Sequence, residues 1–292
     1  MNVAFLGTGL MGGPMARRLL KAKYPVVVYN RTREKTRSLK EEGAEVAETA
    51  RQAIESAGCI VLMLADAGAI QSLFFPSDSP RPDLKRRTVI QMGTISSAES
   101  IGFKKVIEEA GGTYLEAPVF GMTPQAESGD LVLMVGSTPQ QFEQWKPLLK
   151  TFSREPDYVG PVGNGAALKL ALNQIIASHM VSFSFSLGLV QRKGIDVKLF
   201  MKILRNTSLH APYFDGKLPR MLKRDYSNPP FPAKHLLKDI RLALAEAAEC
   251  GLDPSAVQGI EKIVQKALDL GWADGETSAV HEVINPTKQI GR

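Results

Sequence analysis

The sequence predicts an α/β protein in two parts: a doubly wound, mostly parallel sheet over residues 1–162, then an all-α domain over residues 163–292, joined to it by one long helix. Three observations predict this. A glycine-rich turn separates a first strand from a first helix, short apolar runs alternate with helical stretches through the first half, and beyond Gly163 apolar residues recur only at helical spacing. At 292 residues, 44% hydrophobic and 23% charged, the chain has room for two cores.

The first element is the strand Asn2-Val3-Ala4-Phe5-Leu6, and the helix after it runs through Met15 to Leu20. Between them stand Gly7, Thr8, Gly9, Leu10, Met11 and Gly12, a G-x-G-x-x-G turn in the strand–turn–helix context that gives each glycine a task. Gly7 permits the tight turn, Gly9 lets the backbone approach a pyrophosphate, and Gly12 lets helix pack on strand. A flexible turn explains three glycines but not their flanks. The pyrophosphate would lie on a helix N-terminus, where free N–H groups and the helix dipole favour an anion.

The second strand, Val26 to Tyr29, leads into Asn30-Arg31-Thr32-Arg33. An acid at this point would bind the ribose 2′-hydroxyl of NAD, and none is present. Asn30 carries no charge to repel a 2′-phosphate, Arg31 can stack on it or pair with it, and Thr32 can donate a hydroxyl. The reading is NADP(H). Solvated surface charge is the plain alternative for Arg31 and Arg33, and the missing acid beside two added bases weighs against it.

Further strands follow at Cys59–Leu64, Thr88–Met92, Thr113–Ala117 and Asp130–Val135. Their near-continuous apolar runs fit strands buried on both faces of a parallel sheet. Ligands of such sheets lie outside the carboxyl ends of the strands, which selects Leu64-Ala65-Asp66, Gly93-Thr94-Ile95-Ser96 and Pro118-Val119-Phe120-Gly121 as site loops. Those three loops are expected to converge on the nicotinamide, and Leu64 and Ala65 are assigned to the cofactor.

From Gly163 to Gly194 the pattern is one long helix, and breaks near Asn206-Thr207-Ser208, Pro229-Pro230, Gly251 and Gly271 divide the rest into shorter ones. Between Ala166 and Val190 the only charged side chain is Lys169. About 20 apolar residues suffice to span a membrane, but Asn173, Gln174, Ser178, His179 and several serines argue for a helix enclosed by other helices or by a second subunit. A homodimer or homotetramer is expected. His179 reads as a core histidine. Lys169 and Asn173 are spaced i, i+4 and share one helix face. Burial lowers a lysine's pKa toward the range a general acid/base needs, and Asn173 would hold the amine or the substrate oxygen. A lone helical lysine more often snorkels to solvent or pairs for structure; the Gly160-x-x-Gly163-x-Gly165 run and the nucleotide turn shift the balance.

The net charge of +6 is scattered, so no nucleic-acid groove is expected. A mildly basic balance suits carboxylate or phosphorylated ligands. Cys59 and Cys250 are far apart and expected to be buried thiols, with no metal site. Met1 leads directly into the first strand, and a cytoplasmic location without a membrane partner is the expectation.

Four segments together resemble the β-hydroxyacid dehydrogenase family, nearly end to end: Phe5-Leu6-Gly7-Thr8-Gly9-Leu10-Met11-Gly12; Glu116-Ala117-Pro118-Val119-Phe120-Gly121; Gly163 to Asn173; and Phe231-Pro232 followed by Lys238 to Ala243. The resemblance implies an NADPH-dependent oxidoreductase acting on a small aldehyde or hydroxy acid such as glyoxylate, succinic semialdehyde or 3-hydroxyisobutyrate. It implies Lys169 as the general acid/base with Asn173 orienting it, Thr94 and Lys238 on the cofactor near the nicotinamide ribose, and Phe231 and Asp239 closing the substrate pocket. Thr94, Phe120, Gly121 and Met122 would also line the substrate. The family usually has serine where this chain has Phe120, leaving the backbone N–H groups of Gly121 and Met122 as carboxylate donors. Phe185 replaces a glutamate found in many relatives. The related 6-phosphogluconate dehydrogenases carry histidine at the position of Leu172, which sets that activity aside. Imine reduction, or reduction of a bulkier apolar carbonyl, is the alternative, and a non-catalytic NADPH-binding scaffold ranks below both because Lys169 is kept.

Overall fold

The computed structural model describes residues 1–76 and 80–287. Two compact units emerge, Met1–Leu170 and Ala171–Arg292.

The first unit is built on a nine-stranded sheet. In chain order its elements are β1 Val3–Leu6, α1 Gly12–Lys21, β2 Val26–Tyr29, α2 Arg37–Glu41, β3 Glu45–Val46, α3 Ala50–Glu55, β4 Cys59–Leu62, α4 Ala67–Phe74, β5 Thr88–Gln91, α5 Ser97–Glu109, β6 Thr113–Glu116, β7 Val119–Phe120, α6 Thr123–Ser128, β8 Val132–Gly136, α7 Pro139–Leu149 and β9 Asp157–Gly160. The strand order is β3-β2-β1-β4-β5-β6-β8-β7, with β9 on β8. Strands β1 to β6 pair in parallel, while β8 runs antiparallel to both β6 and β7.

Alternation along each strand explains the apolar runs. Val3, Phe5, Val28, Val61, Ile90 and Leu115 enter the core on one face of the sheet; Ala4, Leu6, Val27, Ile60, Leu62, Val89 and Tyr114 enter the core on the other. With both faces covered, most positions are apolar, and each large side chain removed from water contributes about 1.5–3 kcal/mol. The order reverses between β1 and β4, which opens a crevice beyond their carboxyl ends, where Gly7 and Leu64 begin their loops.

The long helix α8, Asn164–Arg192, begins in the first unit and continues into the second. The second unit adds α9 Val197–Arg205, α10 Pro212–Lys223, α11 Ala233–Cys250, α12 Ser255–Ala267 and α13 Val280–Ile284. Its core takes Ala177, Met180, Phe183 and Leu187 from one face of α8, and the Phe183 ring stacks on Phe214 with centroids 4.6 Å apart. By length and composition α8 is apolar enough to cross a membrane. Within the single chain one side of the helix is open, with Ile175, Phe185 and Leu189 more than half exposed. A correction concerns the cysteines: Cys59 is buried, but Cys250, the last residue of α11, is exposed. His179 is half-buried with its ring edge against Phe214.

Candidate active site

The glycine turn follows from packing at two of its three glycines. Gly7 has φ +97°, a left-handed conformation, and a Cβ at Gly7 or Gly12 would overlap backbone oxygen of Met63 or Gly7 respectively. Gly9 differs. It is exposed, its φ is not in the left-handed range, and a Cβ there would meet nothing within 4 Å. The chain's own packing therefore does not require glycine at position 9, whereas the close approach of a pyrophosphate does. Helix α1 has neither a side-chain cap nor an acid in its first turn, so its N–H groups remain suited to an anion. These residues fit a dinucleotide.

Asn30 turns out to organise the loop it follows. Its Oδ1 accepts from the Thr8 N–H at 3.0 Å, and its Nδ2 donates to the Thr32 carbonyl at 2.8 Å. Thr8 is buried and its hydroxyl donates to the Lys35 carbonyl. Arg33, counted among the bases for a 2′-phosphate, is instead held by Glu48 through two bonds of 2.5 and 2.6 Å. Arg31 and Thr32 are exposed, and Arg31 makes no ion pair among the described residues. Leu10 and Ala65 are exposed, while Met11, Leu64 and Thr94 are half-buried.

Still in the first unit, Lys169 is half-buried and its Nζ stands 5.0 Å from the centre of the half-buried Phe120 ring. Gly121 has φ +144°, and a Cβ there would press on Leu131 and Gln125. The exposed Met122 opens α6, and its N–H donates to the Gln125 side chain at 3.0 Å. One of the two backbone donors assigned to a substrate carboxylate is thus already engaged. Glu116 is a residue that site reasoning from sequence missed. It lies at the end of β6, is 1% exposed, and its Oε1 accepts three N–H groups from the start of α8. An acid closing an otherwise apolar strand was the available signal.

The second unit brings Asn173, Lys238 and Asp239 together. Asn173 Nδ2 donates to Asp239 Oδ2 at 2.7 Å, both residues being buried, and Lys238 Nζ lies 2.8 Å from Asp239 Oδ1. Because a carboxylate only accepts, the amide must turn its nitrogen toward Asp239, leaving the Asn173 Oδ1 as an acceptor. Phe231 is half-buried against the helical core. Among the described residues no cluster of His, Cys, Asp or Glu has metal-binding geometry.

Residues 2–160 match the NAD binding domain of 6-phosphogluconate dehydrogenase, and residues 163–284 match the NAD-binding domain of NADP-dependent 3-hydroxyisobutyrate dehydrogenase. Glyoxylate/succinic semialdehyde reductase 1 of Arabidopsis thaliana is 34% identical over 290 residues, covering 99% of this chain and all of the relative. The NAD-dependent L-serine dehydrogenase of Pseudomonas aeruginosa is 29% identical, covering 98% and 99%. A crystal structure of 3-hydroxyisobutyrate dehydrogenase from Salmonella typhimurium has the same fold, with a TM-score of 0.86 at 20% identity over 97% of this chain and 99% of that one. With both parts of its length matched and a relative of this identity aligned from end to end, the chain belongs to the β-hydroxyacid dehydrogenase family of NAD(P)-binding oxidoreductases.

Proposed function

We propose that the protein reduces a small aldehyde with NADPH, reversibly toward the hydroxy acid, with glyoxylate and succinic semialdehyde as its first candidate substrates. The observation that carries this reading is the placement of Lys169, a half-buried ammonium in the second turn of α8, beside Phe120, the last residue of the short strand β7. The nicotinamide, when bound, supplies the hydride. Gly9 and the N-terminus of α1 hold the pyrophosphate, Arg31 and Thr32 receive the 2′-phosphate, Leu64 and Ala65 flank the nucleotide, and Thr94 and Lys238 take the nicotinamide ribose. Lys169 gives its proton to the substrate oxygen, which spares the product an alkoxide. Asn173, with its nitrogen fixed by Asp239, has its Oδ1 left to orient the reacting groups, and Phe231 and Asp239 are the helical unit's further candidate substrate contacts. Preference for NADPH over NADH is supported by the absence of an acid after β2 and by the exposed Arg31.

A second reading is favoured by the engaged N–H of Met122 and the ring at position 120: an apolar carbonyl or an imine in place of a small acid. We also propose a homodimer or homotetramer in which the exposed apolar row Ile175, Phe185 and Leu189 of α8 meets another copy.

The deciding assay is oxidation of NADPH and of NADH at neutral pH against glyoxylate, succinic semialdehyde, bulkier apolar aldehydes and a cyclic imine. Turnover of the small acids with NADPH supports the first reading. Activity confined to apolar aldehydes or the imine replaces it with the second, and NADPH binding without turnover of any of them overturns both.

A further inference from the structure

A side chain from the sheet closes the N-terminal end of α8. Glu116 Oε1 accepts from the N–H groups of Gly163 at 2.7 Å, Gly165 at 2.8 Å and Ala166 at 3.2 Å. Its Oε2 accepts from the Ser100 hydroxyl, which lies 2.9 Å from the Tyr114 hydroxyl. Ser97 on α5 donates to the Gly163 carbonyl at 3.0 Å. The surroundings are cut to this carboxyl group. A Cβ on Gly165 would lie 3.0 Å from Glu116 Oε1 and 2.6 Å from the Met134 carbonyl, and one on Gly136 would overlap the Glu116 side chain.

An exposed Ser or Asp caps a helix at about 1 kcal/mol without being desolvated. A buried carboxylate loses hydration worth several kcal/mol, which its hydrogen bonds must offset. Burial pushes the Glu116 carboxyl above the usual range, against the pull of the Ser100 hydroxyl and the three N–H groups. Capping alone is therefore a weak reason for this residue. What the buried cap adds is a tie between two segments. Glu116 ends β6 and runs directly into Ala117 to Met122, and Lys169 follows one turn beyond the Gly165 N–H that Glu116 holds. The Lys169 ammonium and the Phe120 ring meet at 5.0 Å across those same two segments.

We infer that Glu116 is a positioning residue for the reaction, locking the first turn of α8 to the end of β6 so that Lys169 is presented at a fixed place beside Phe120 of β7. The inference rests on Lys169 as proton donor. Misplacing a reacting group by about 1 Å can cost roughly a hundredfold in rate.

The test is a double-mutant cycle on the full-length protein. Glu116→Ala and Glu116→Gln are made alone and with Lys169→Ala, and kcat, NADPH Kd and Tm are measured for each. Glu116→Ala is expected to lower kcat roughly ten- to a hundredfold with NADPH Kd within about twofold. In the Lys169→Ala background the same substitution is expected to leave the residual rate unchanged while lowering Tm equally. Glu116→Gln keeps an oxygen for the three N–H groups and should recover most of the lost kcat. If Glu116→Ala does not fold, Glu116→Asp, which keeps the charge but draws the acceptor back by one methylene, carries the cycle, with a smaller loss that again vanishes without Lys169. Equal losses in both backgrounds, or unchanged kcat in a folded variant, overturn the role of Glu116. Retained turnover in Lys169→Ala alone overturns the underlying reading of the lysine, a result the cycle separates from the first.

Discussion

The ammonium of Lys169 stands 5.0 Å from the centre of the Phe120 ring, within reach of a cation–π attraction. A ring in this place offers no hydroxyl to a substrate carboxylate, and the neighbouring Met122 N–H already donates to Gln125. Phe120→Ser restores a donor and removes apolar volume. A hydrogen bond to a charged group is worth about 1.5–3 kcal/mol, so kcat/KM for glyoxylate relative to a phenyl-bearing aldehyde should rise roughly ten- to a hundredfold. Steady-state kinetics on the two substrates measure the ratio, and an unchanged ratio removes Phe120 from substrate choice.

Lys169→Ala should reduce turnover by roughly two to four powers of ten, because general acid catalysis contributes on that scale. NADPH affinity should stay nearly intact, since the nucleotide turn and α1 are elsewhere in the unit. Fluorescence titration and single-turnover NADPH oxidation give the two quantities separately. Wild-type turnover in the variant would take the lysine out of the chemistry.

Arg31→Ala tests the cofactor assignment. Asn30 is occupied with Thr8 and Thr32, and Arg33 with Glu48, so Arg31 carries the charge facing solvent at the end of β2. Its loss should narrow the NADPH-over-NADH preference in kcat/KM by about tenfold or more, the worth of a charged hydrogen bond to phosphate. A constant ratio would place the 2′-phosphate on other residues.

The legible parts of the sequence are those where one local rule dominates. Strands β1, β2, β4, β5 and β6 are buried on both faces and so read as continuous apolar runs, and the glycine turn has a fixed spacing. Two-residue β3 and β7 are too short for a period to register, and β9 carries Asp157 and an exposed Tyr158 at its outer position. The role of Glu116 depends on partners 47 to 50 residues downstream, a distance at which no sequence pattern operates. Composition marked α8 as apolar but not which face lies in the core, because Phe183 and Phe185 look alike in sequence and differ only in direction.

That outward direction has a measurable consequence. Phe185 is 65% exposed and Leu189 53%, on the side of α8 that also carries Ile175. On the proposal that α8 meets another copy, this row is the surface that self-association would cover. Wild-type protein should elute and scatter light at a multiple of 31.8 kDa, and Phe185→Glu with Leu189→Glu should bring it to the single-chain mass. A single-chain mass for the wild type, or no change in the variant, would assign these residues to something other than self-association.

His281 is expected to contribute to the acid response of the helical unit. Its ring is fully buried, with Nδ1 2.7 Å from the Ser184 hydroxyl and Arg224 and Glu282 as the charges around it. Burial, followed by the Arg224 guanidinium, pulls its pKa from 6.5 down to about 4, while Glu282 and Ser184 act the other way. The folded state therefore holds the ring neutral where the unfolded chain protonates it. Between pH 6.5 and 4 the unfolded state binds the extra proton, so stability is complete above about pH 6.5 and declines as pH falls toward 4. At 1.36 kcal/mol per unit the loss is about 3 kcal/mol. Urea unfolding of wild type and of His281→Gln at pH 7 and pH 4.5 isolates this share, because the other carboxylates are common to both proteins. The variant, which has no titrating ring, should be less stable at pH 7 and lose less on acidification; parallel losses in the two proteins would mean that His281 does not govern the acid response.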